Sequence, residues 1–102
     1  MFTTGFSMRP ESFAEPMSGN TVAWMKEKAK EKNCVITGSF ICEEGAMPAY
    51  RQRKYFNRLV WMNPDGTCNV YDKRHLFRMG DEDNHYGQGE KKIIVDLKGW
   101  KI

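Results

Sequence analysis

The sequence predicts a single domain of the α+β class, with one helix packed on strands that follow it. Two observations predict this class: one stretch near the start has helical periodicity, and several later runs are rich in β-branched and aromatic residues. These elements do not alternate regularly as helix and strand, which a parallel α/β sheet would require. At 102 residues the chain allows one domain, which buries about two-thirds of its unfolded surface.

The first part of the chain predicts a packed segment and then a helix. Residues 1–18 are apolar but lack a sustained period, which predicts a buried or partly buried loop. Residues 20–33 predict an amphipathic helix, with Val22, Met25 and Ala29 on one face and charged residues opposite. Ser18 or Asn20 is expected to cap its N-terminus.

The rest of the chain predicts strands, including a β-hairpin. Residues 63–66 read Asn-Pro-Asp-Gly, a turn signal between two apolar runs. Gly38 lowers the expected regularity of the strand that contains it. The predicted elements are a buried strand at 34–42, a loop at 43–53, strands at 55–62 and 67–71, a polar stretch at 78–90, a strand at 93–97 and the start of another at 99–102.

Composition excludes several classes of protein. The net charge of +3 comes from 16 basic and 13 acidic residues mixed along the chain, so no basic stripe indicates nucleic-acid binding. Apolar runs of at most four residues are too short to cross a membrane, and the N-terminus lacks the pattern of a signal peptide. We therefore expect no nucleic-acid partner, no membrane partner and a cytoplasmic location.

The three cysteines predict reduced thiols rather than disulfides or a zinc site. They are odd in number and widely spaced. We expect Cys34 and Cys42 in a buried strand and Cys68 in the hairpin, where free cysteine packs as a small apolar residue. None is predicted to be a nucleophile.

Reactive side chains are densest between residues 72 and 90. Lys73 follows a predicted strand, where it would lose hydration and need nearby anions, which the carboxylates that follow could supply. The alternative is a solvated loop with surface ion pairs. His75 and His85 with Asp81 or Glu82 could form a metal site, but their spacing matches no ligand motif. We expect no metal and no cofactor.

Residues 71–77, Tyr-Asp-Lys-Arg-His-Leu-Phe, resemble the lysine motif of the nitrilase superfamily of carbon-nitrogen hydrolases, aromatic-x-Lys-x-His-Leu. Residues 55–60 and 64–66 resemble the family's strand with an Asn and the Pro-x-Gly turn before that lysine. Residues 1–6 resemble the segment after the family's first catalytic glutamate. The residues of these segments are most similar to those of the omega-amidase-like branch, which hydrolyses small ω-amides of dicarboxylic acids. The resemblance implies part of an αββα sandwich.

The family chemistry uses a glutamate as general base, a lysine that stabilises the tetrahedral intermediate and a cysteine nucleophile. The resemblance makes Lys73 the catalytic lysine. It also implies a second glutamate, best matched by Glu82 because Tyr86 and Gly89 follow at similar offsets, although acidic residues adjoin it on both sides. Phe2 is the expected substrate-binding residue.

The resemblance further implies that residues 1–102 are a partial hydrolase domain truncated at both ends. The general base would precede Met1 and the nucleophile would follow Ile102. We therefore expect that the chain alone does not hydrolyse amides, although the parent enzyme takes a small amide substrate, and that it forms homo-oligomers through uncovered strands. The alternative hypothesis is a non-catalytic interaction protein derived from this fold.

Overall fold

The computed structural model describes residues 1–45 and 54–102, and its architecture confirms the predicted α+β class. A three-stranded antiparallel sheet, in the order β1-β2-β3, packs against one helix. The regular elements are α1 (Asn20–Lys32), β1 (Ile36–Glu44), β2 (Lys54–Met62), β3 (Cys68–Asp72), α2 (Glu82–His85), β4 (Asp96–Leu97) and β5 (Trp100–Lys101), with 3-10 turns at Pro10–Ser12 and Arg78–Gly80.

Helix α1 buries the predicted face, but its N-terminal cap differs from the prediction. Met25 and Ala29 are buried in the core. The N-cap residue is Gly19, and the carboxylate of Glu15 accepts hydrogen bonds from the Thr21 N–H, at 2.9 Å, and from the Thr21 hydroxyl. The carboxylate four residues before the N-cap therefore satisfies the Thr21 N–H, one of the unpaired N–H groups of the first helical turn. The prediction that Ser18 or Asn20 caps the helix was wrong.

The predicted hairpin and the first strand are present, with shifted bounds for the strand. In the turn, the Gly66 N–H bonds the Asn63 carbonyl, and Gly66 has a φ of 88°, which glycine adopts without strain. Strand β1 starts at Ile36 because the Cys34 N–H still bonds the Ala29 carbonyl of α1. It continues through Glu44, so the predicted loop at 43–53 begins later. Residues 46–53 of that loop lie outside the described residues.

The C-terminal strand prediction was only partly right. The strand covers Asp96–Leu97 rather than residues 93–97, and it pairs with Trp100–Lys101. Beside this pair, the backbones of Val95 and Ile102 also bond each other. Lys98 and Gly99 both have positive φ, 50° and 88°, which suits a two-residue hairpin turn. This turn reverses the chain immediately, so the apolar run forms a separate small hairpin.

The two sides of the main sheet have different roles. One side of the sheet packs against α1, and we call it the helix-facing side. It carries the side chains of Phe40, Cys42, Val60 and Met62. Because successive side chains of a strand point to opposite sides, the residues between them lie on the other side. We call this second side the lysine side. It carries Asn57, Tyr71 and also Lys73, the residue directly after β3.

The N-terminal segment runs along the outer edge of β1. The Phe2 N–H bonds the Ser39 carbonyl, at 2.6 Å, and Glu15 forms a parallel bridge to Cys42. Pro10 is buried, but the side chains of Phe2, Phe6 and Phe13 are exposed, so the expected burial of this loop was only partly right. Backbone hydrogen bonds rather than ring burial attach it to the sheet.

Within residues 1–45 and 54–102, no helix is long and apolar enough to cross a membrane.

Candidate functional site

Lys73 and Glu82 form a close ion pair on the lysine side of the sheet. The Lys73 N–H bonds the Asn57 carbonyl, at 2.9 Å, which extends the pairing of β2 and β3 by one residue. The ammonium nitrogen Nζ lies 2.7 Å from Glu82 Oε2. The Lys73 side chain is 35% exposed and that of Glu82 is 0% exposed, so the pair has one solvated and one enclosed partner.

Three hydrogen bonds hold the Glu82 carboxylate. Besides Lys73, the Phe77 N–H donates to Oε2 at 2.7 Å and the Asn57 amide donates to Oε1 at 3.3 Å. Burial by itself would raise the pKa of Glu82, but the bonds from Lys73, Phe77 and Asn57 outweigh it and hold the pKa below its usual value. The site therefore keeps an ionised glutamate, which fixes the position of the lysine ammonium.

Local backbone geometry presents Glu82 at this point. Glu82 is the first residue of α2, and its N-cap residue Asp81 has a left-handed φ of 64°. The Tyr86 hydroxyl at the end of α2 donates a hydrogen bond to the Ser7 carbonyl. Burial raises the pKa of Tyr86 to about 12, so the hydroxyl stays a donor. Tyr86 thus ties the glutamate-bearing helix to the N-terminal segment.

Asn57 was not predicted as a site residue, although the strand that contains it carried part of the resemblance. Its amide reaches Glu82 across 25 positions of sequence. The signal available in the sequence was an Asn within a strand of mostly apolar residues, since a polar side chain enclosed by a sheet needs a partner.

Phe6, rather than Phe2, is the aromatic residue beside the lysine. The Lys73 ammonium lies 5.9 Å from the centre of the Phe6 ring. The Phe2 ring packs on Trp24, with centroids 5.2 Å apart, and borders a cavity of about 130 Å³ that Met25 also lines. The predicted role of Phe2 in substrate binding stays a prediction.

The three cysteines are free thiols, and the structure separates them from the lysine pair. Cys42 lies on the helix-facing side, and burial raises the pKa of its thiol to about 11. Cys68 is paired with Met62 at the far end of β3 from Lys73. Cys34 is exposed just after α1, so its predicted place in a buried strand was wrong.

The histidines do not converge on a metal-binding arrangement. His85 Nε2 lies 3.2 Å from Asp81 Oδ2. Both Glu82 oxygens already accept hydrogen bonds from the chain. In the part of the chain that the structure describes, no group of three or more His, Cys, Asp or Glu could hold a metal ion. The expectation of no metal and no cofactor stays a prediction.

Known proteins are similar to this chain in sequence and in fold. The family model for carbon-nitrogen hydrolases matches residues 1–102. The omega-amidase YafV of Escherichia coli K12 is 41% identical over 105 residues, which cover 100% of this chain and 37% of the relative. The omega-amidase YafV of Yersinia enterocolitica is 36% identical over 104 residues, again with 37% of the relative covered. The chain thus spans little more than a third of these relatives.

A solved structure agrees with these relatives. XC1258 from Xanthomonas campestris, a CN-hydrolase superfamily protein with an arsenic adduct in its active site, superposes with a TM-score of 0.86 at 42% identity. The match covers 98% of this chain and 35% of that one. These findings confirm the resemblance to the nitrilase superfamily and its omega-amidase-like branch. The chain belongs to the carbon-nitrogen hydrolase family.

Proposed function

We propose that this segment contributes the oxyanion-stabilising lysine, Lys73, and its positioning glutamate, Glu82, to a cysteine-dependent hydrolase of small ω-amides of dicarboxylic acids. The observation that carries the proposal is the 2.7 Å contact between the Lys73 ammonium and a fully enclosed Glu82 carboxylate. The relatives named omega-amidase support the substrate class.

The geometry suits stabilisation of developing negative charge. A fixed ammonium stabilises an oxyanion most effectively when little reorganisation is needed during the reaction. Glu82 holds Lys73 from one side, and the partly exposed ammonium leaves room for a second anionic partner. Lys73 would therefore attract the carbonyl oxygen of an amide as that oxygen gains charge.

The complete reaction needs a thiolate and a general base. Attack of the thiolate on the amide carbon would form a tetrahedral oxyanion, and protonation of the nitrogen would release ammonia and leave an acyl-thioester. Water would then hydrolyse the thioester and regenerate the thiol. Lys73 would stabilise the oxyanion in both halves.

We further propose that the 102-residue chain does not turn over amides by itself. All three of its cysteines are accounted for, and none lies at the Lys73–Glu82 pair. Cys42 bonds the Arg58 guanidinium on the other side of the sheet, and its raised pKa leaves little thiolate near neutral pH. The nucleophilic thiol would have to come from another segment or another chain and lie next to Lys73.

A graft tests both parts of the proposal. Residues 1–102 replace the matching segment of the E. coli relative, and ammonia release from a C4 or C5 ω-amide is followed for the graft and for the 102-residue chain. We expect turnover by the graft and none by the chain. Turnover by the chain above a catalyst-free control contradicts its inactivity, whereas a folded but inactive graft contradicts the assigned roles.

A second candidate function is self-association without catalysis. Several large apolar side chains at one end of the sequence are well exposed, and such surface favours association. They are Phe77, Met79, Ile94, Trp100 and Ile102. Sedimentation of the purified chain at several concentrations would show a dimer or larger species, and a monomer throughout would contradict this candidate. The expected cytoplasmic location stays a prediction.

A further inference from the structure

Arg58 is a buried cation at the centre of the sheet, on the side opposite the lysine pair. Its side chain is 5% exposed. Nε and Nη2 donate to the two carboxylate oxygens of Asp72 at 2.7 and 2.8 Å, and Nη1 lies 2.6 Å from Glu44 Oε1. The two carboxylates raise the pKa of Arg58 despite its burial. A buried charge is tolerated only with such partners, so the geometry is tightly specified.

Asp72 links Arg58 to Lys73. Its carboxylate bonds Arg58, and one peptide bond joins its backbone to Lys73. Asp72 lies directly opposite Arg58 in the pairing of β2 and β3. Neighbouring residues of a strand point to opposite sides, so Asp72 is held on the helix-facing side while Lys73 reaches Glu82 on the lysine side. The peptide between them is therefore anchored from both sides of the sheet.

Gly89 packs closely against the backbone of Asp72 and Lys73. Its N–H bonds the Lys73 carbonyl at 3.0 Å. A Cβ at Gly89 would lie 2.7 Å from the carbonyl carbon of Asp72, so only glycine lets the chain pass so closely. The N–H of the Asp72–Lys73 peptide bonds the Asn57 carbonyl, so rotation of this peptide would break that bond and disturb its close packing against Gly89.

We propose that Arg58 is a positioning residue for Lys73, because its two-point bond to Asp72 fixes the backbone from which the lysine reaches Glu82. A cavity of about 750 Å³ is lined by both Arg58 and Asp72. Nε, Nη1 and Nη2 of Arg58 all face carboxylates, so the guanidinium is arranged to hold the chain rather than an anionic ligand. The catalytic importance of this positioning rests on the proposed function, but the positioning itself does not.

The test measures how fast the Lys73 amine reacts with an amine-acylating reagent, by mass spectrometry of the folded 102-residue chain. Rates are normalised to the exposed Lys91. We expect Arg58→Met to raise the relative rate about 3- to 10-fold, which corresponds to about 0.6 to 1.4 kcal/mol of lost pairing with Glu82. Arg58→Lys should restore part of the protection, since an ammonium cannot form the two-point bond.

A double-mutant cycle separates positioning from general stability. Asp72→Asn should raise the rate as much as Arg58→Met, and the double variant should add nothing further, because both act through one contact. The matched control is Val60→Ala, which removes a buried side chain two residues from Arg58 on the same side. It should destabilise the chain without changing the relative rate.

Three results would overturn the proposal: an unchanged rate in folded Arg58→Met, an equal rise in Val60→Ala, or additive effects in the cycle. If Arg58→Met does not fold, Asp72→Asn alone tests the proposal, because Asp72 is partly exposed and less buried than Arg58. An unchanged rate in that variant then rejects the proposal. No outcome depends on amide hydrolysis, so failure here and failure of the proposed function are distinguishable.

Discussion

Replacing Glu82 with Gln should destabilise the chain markedly, although the two side chains have the same shape. The substitution removes the charge that accepts bonds from Lys73 and the Phe77 N–H, and it turns an NH2 group toward one of these donors. Hydrogen bonds to charged groups contribute about 1.5–3 kcal/mol each. Because Lys73 is 35% exposed, its share is discounted for solvent screening.

We therefore expect Glu82→Gln to lower the free energy of unfolding by about 2–3 kcal/mol near pH 7, out of a total of about 5–15 kcal/mol for a chain of this size. The assay is urea unfolding followed by tryptophan fluorescence. Asp83→Asn is the matched control, because Asp83 is the adjacent carboxylate and its nearest guanidinium atom, on Arg78, is 3.9 Å away. The control should change stability by less than about 0.5 kcal/mol.

The effect of Glu82→Gln should also depend on pH. The folded-state pKa of Glu82 is below its ordinary value, so its stabilisation is present above the unfolded-state pKa and is lost as the pH falls through the folded-state value. The stability difference between wild type and Glu82→Gln should therefore be constant near neutral pH and shrink below about pH 4.3. A variant as stable as wild type near pH 7 would refute this account of the ion pair.

Two further predictions concern the chain around the site. Gly89→Ala should lower the free energy of unfolding by at least about 2 kcal/mol, because its Cβ would collide with the Asp72 carbonyl. Gly38→Ala in β1 should cost less than about 1 kcal/mol, because its Cβ would make only an ordinary contact with the Phe2 Cβ, at 3.8 Å. Equal costs in urea unfolding would contradict this. At pH 8, iodoacetamide should modify Cys34 and Cys68 rapidly and Cys42 only in denaturant, as read by mass spectrometry, and three fast thiols would contradict the burial of Cys42.

Local pattern was enough to predict α1 and the hairpin. The spacing of Met25 and Ala29 gives one buried helical face, and a turn with Pro and Gly joins two apolar runs, so each signal lies within a few residues of its consequence. The C-terminal strand was predicted too long because the apolar run at residues 93–95 indicates a strand, whereas only Asp96–Leu97 form one with Trp100–Lys101.

The site was only partly predictable, because its contacts join distant parts of the chain. Lys73 and Glu82 were chosen together from the resemblance, and the structure places them in contact, while their catalytic roles remain proposals. Asn57 and Arg58 escaped prediction because their partners are distant in sequence. Asn57 bonds Glu82 of α2, and Arg58 bonds Asp72 across the pairing of β2 with β3. An arginine within a strand usually lies at the surface, and only the carboxylates beside it explain its burial here.

We propose that Lys73, held by Glu82, stabilises the oxyanion of amide hydrolysis. Steady-state kinetics of Lys73→Ala in the grafted E. coli omega-amidase test it most directly, with Lys91→Ala as the exposed-lysine control. We expect kcat to fall about 10²- to 10³-fold for Lys73→Ala, the usual effect of removing one oxyanion-stabilising group, and the control to keep wild-type kinetics. A folded Lys73→Ala graft that keeps a kcat within a few-fold of the parent graft would contradict it.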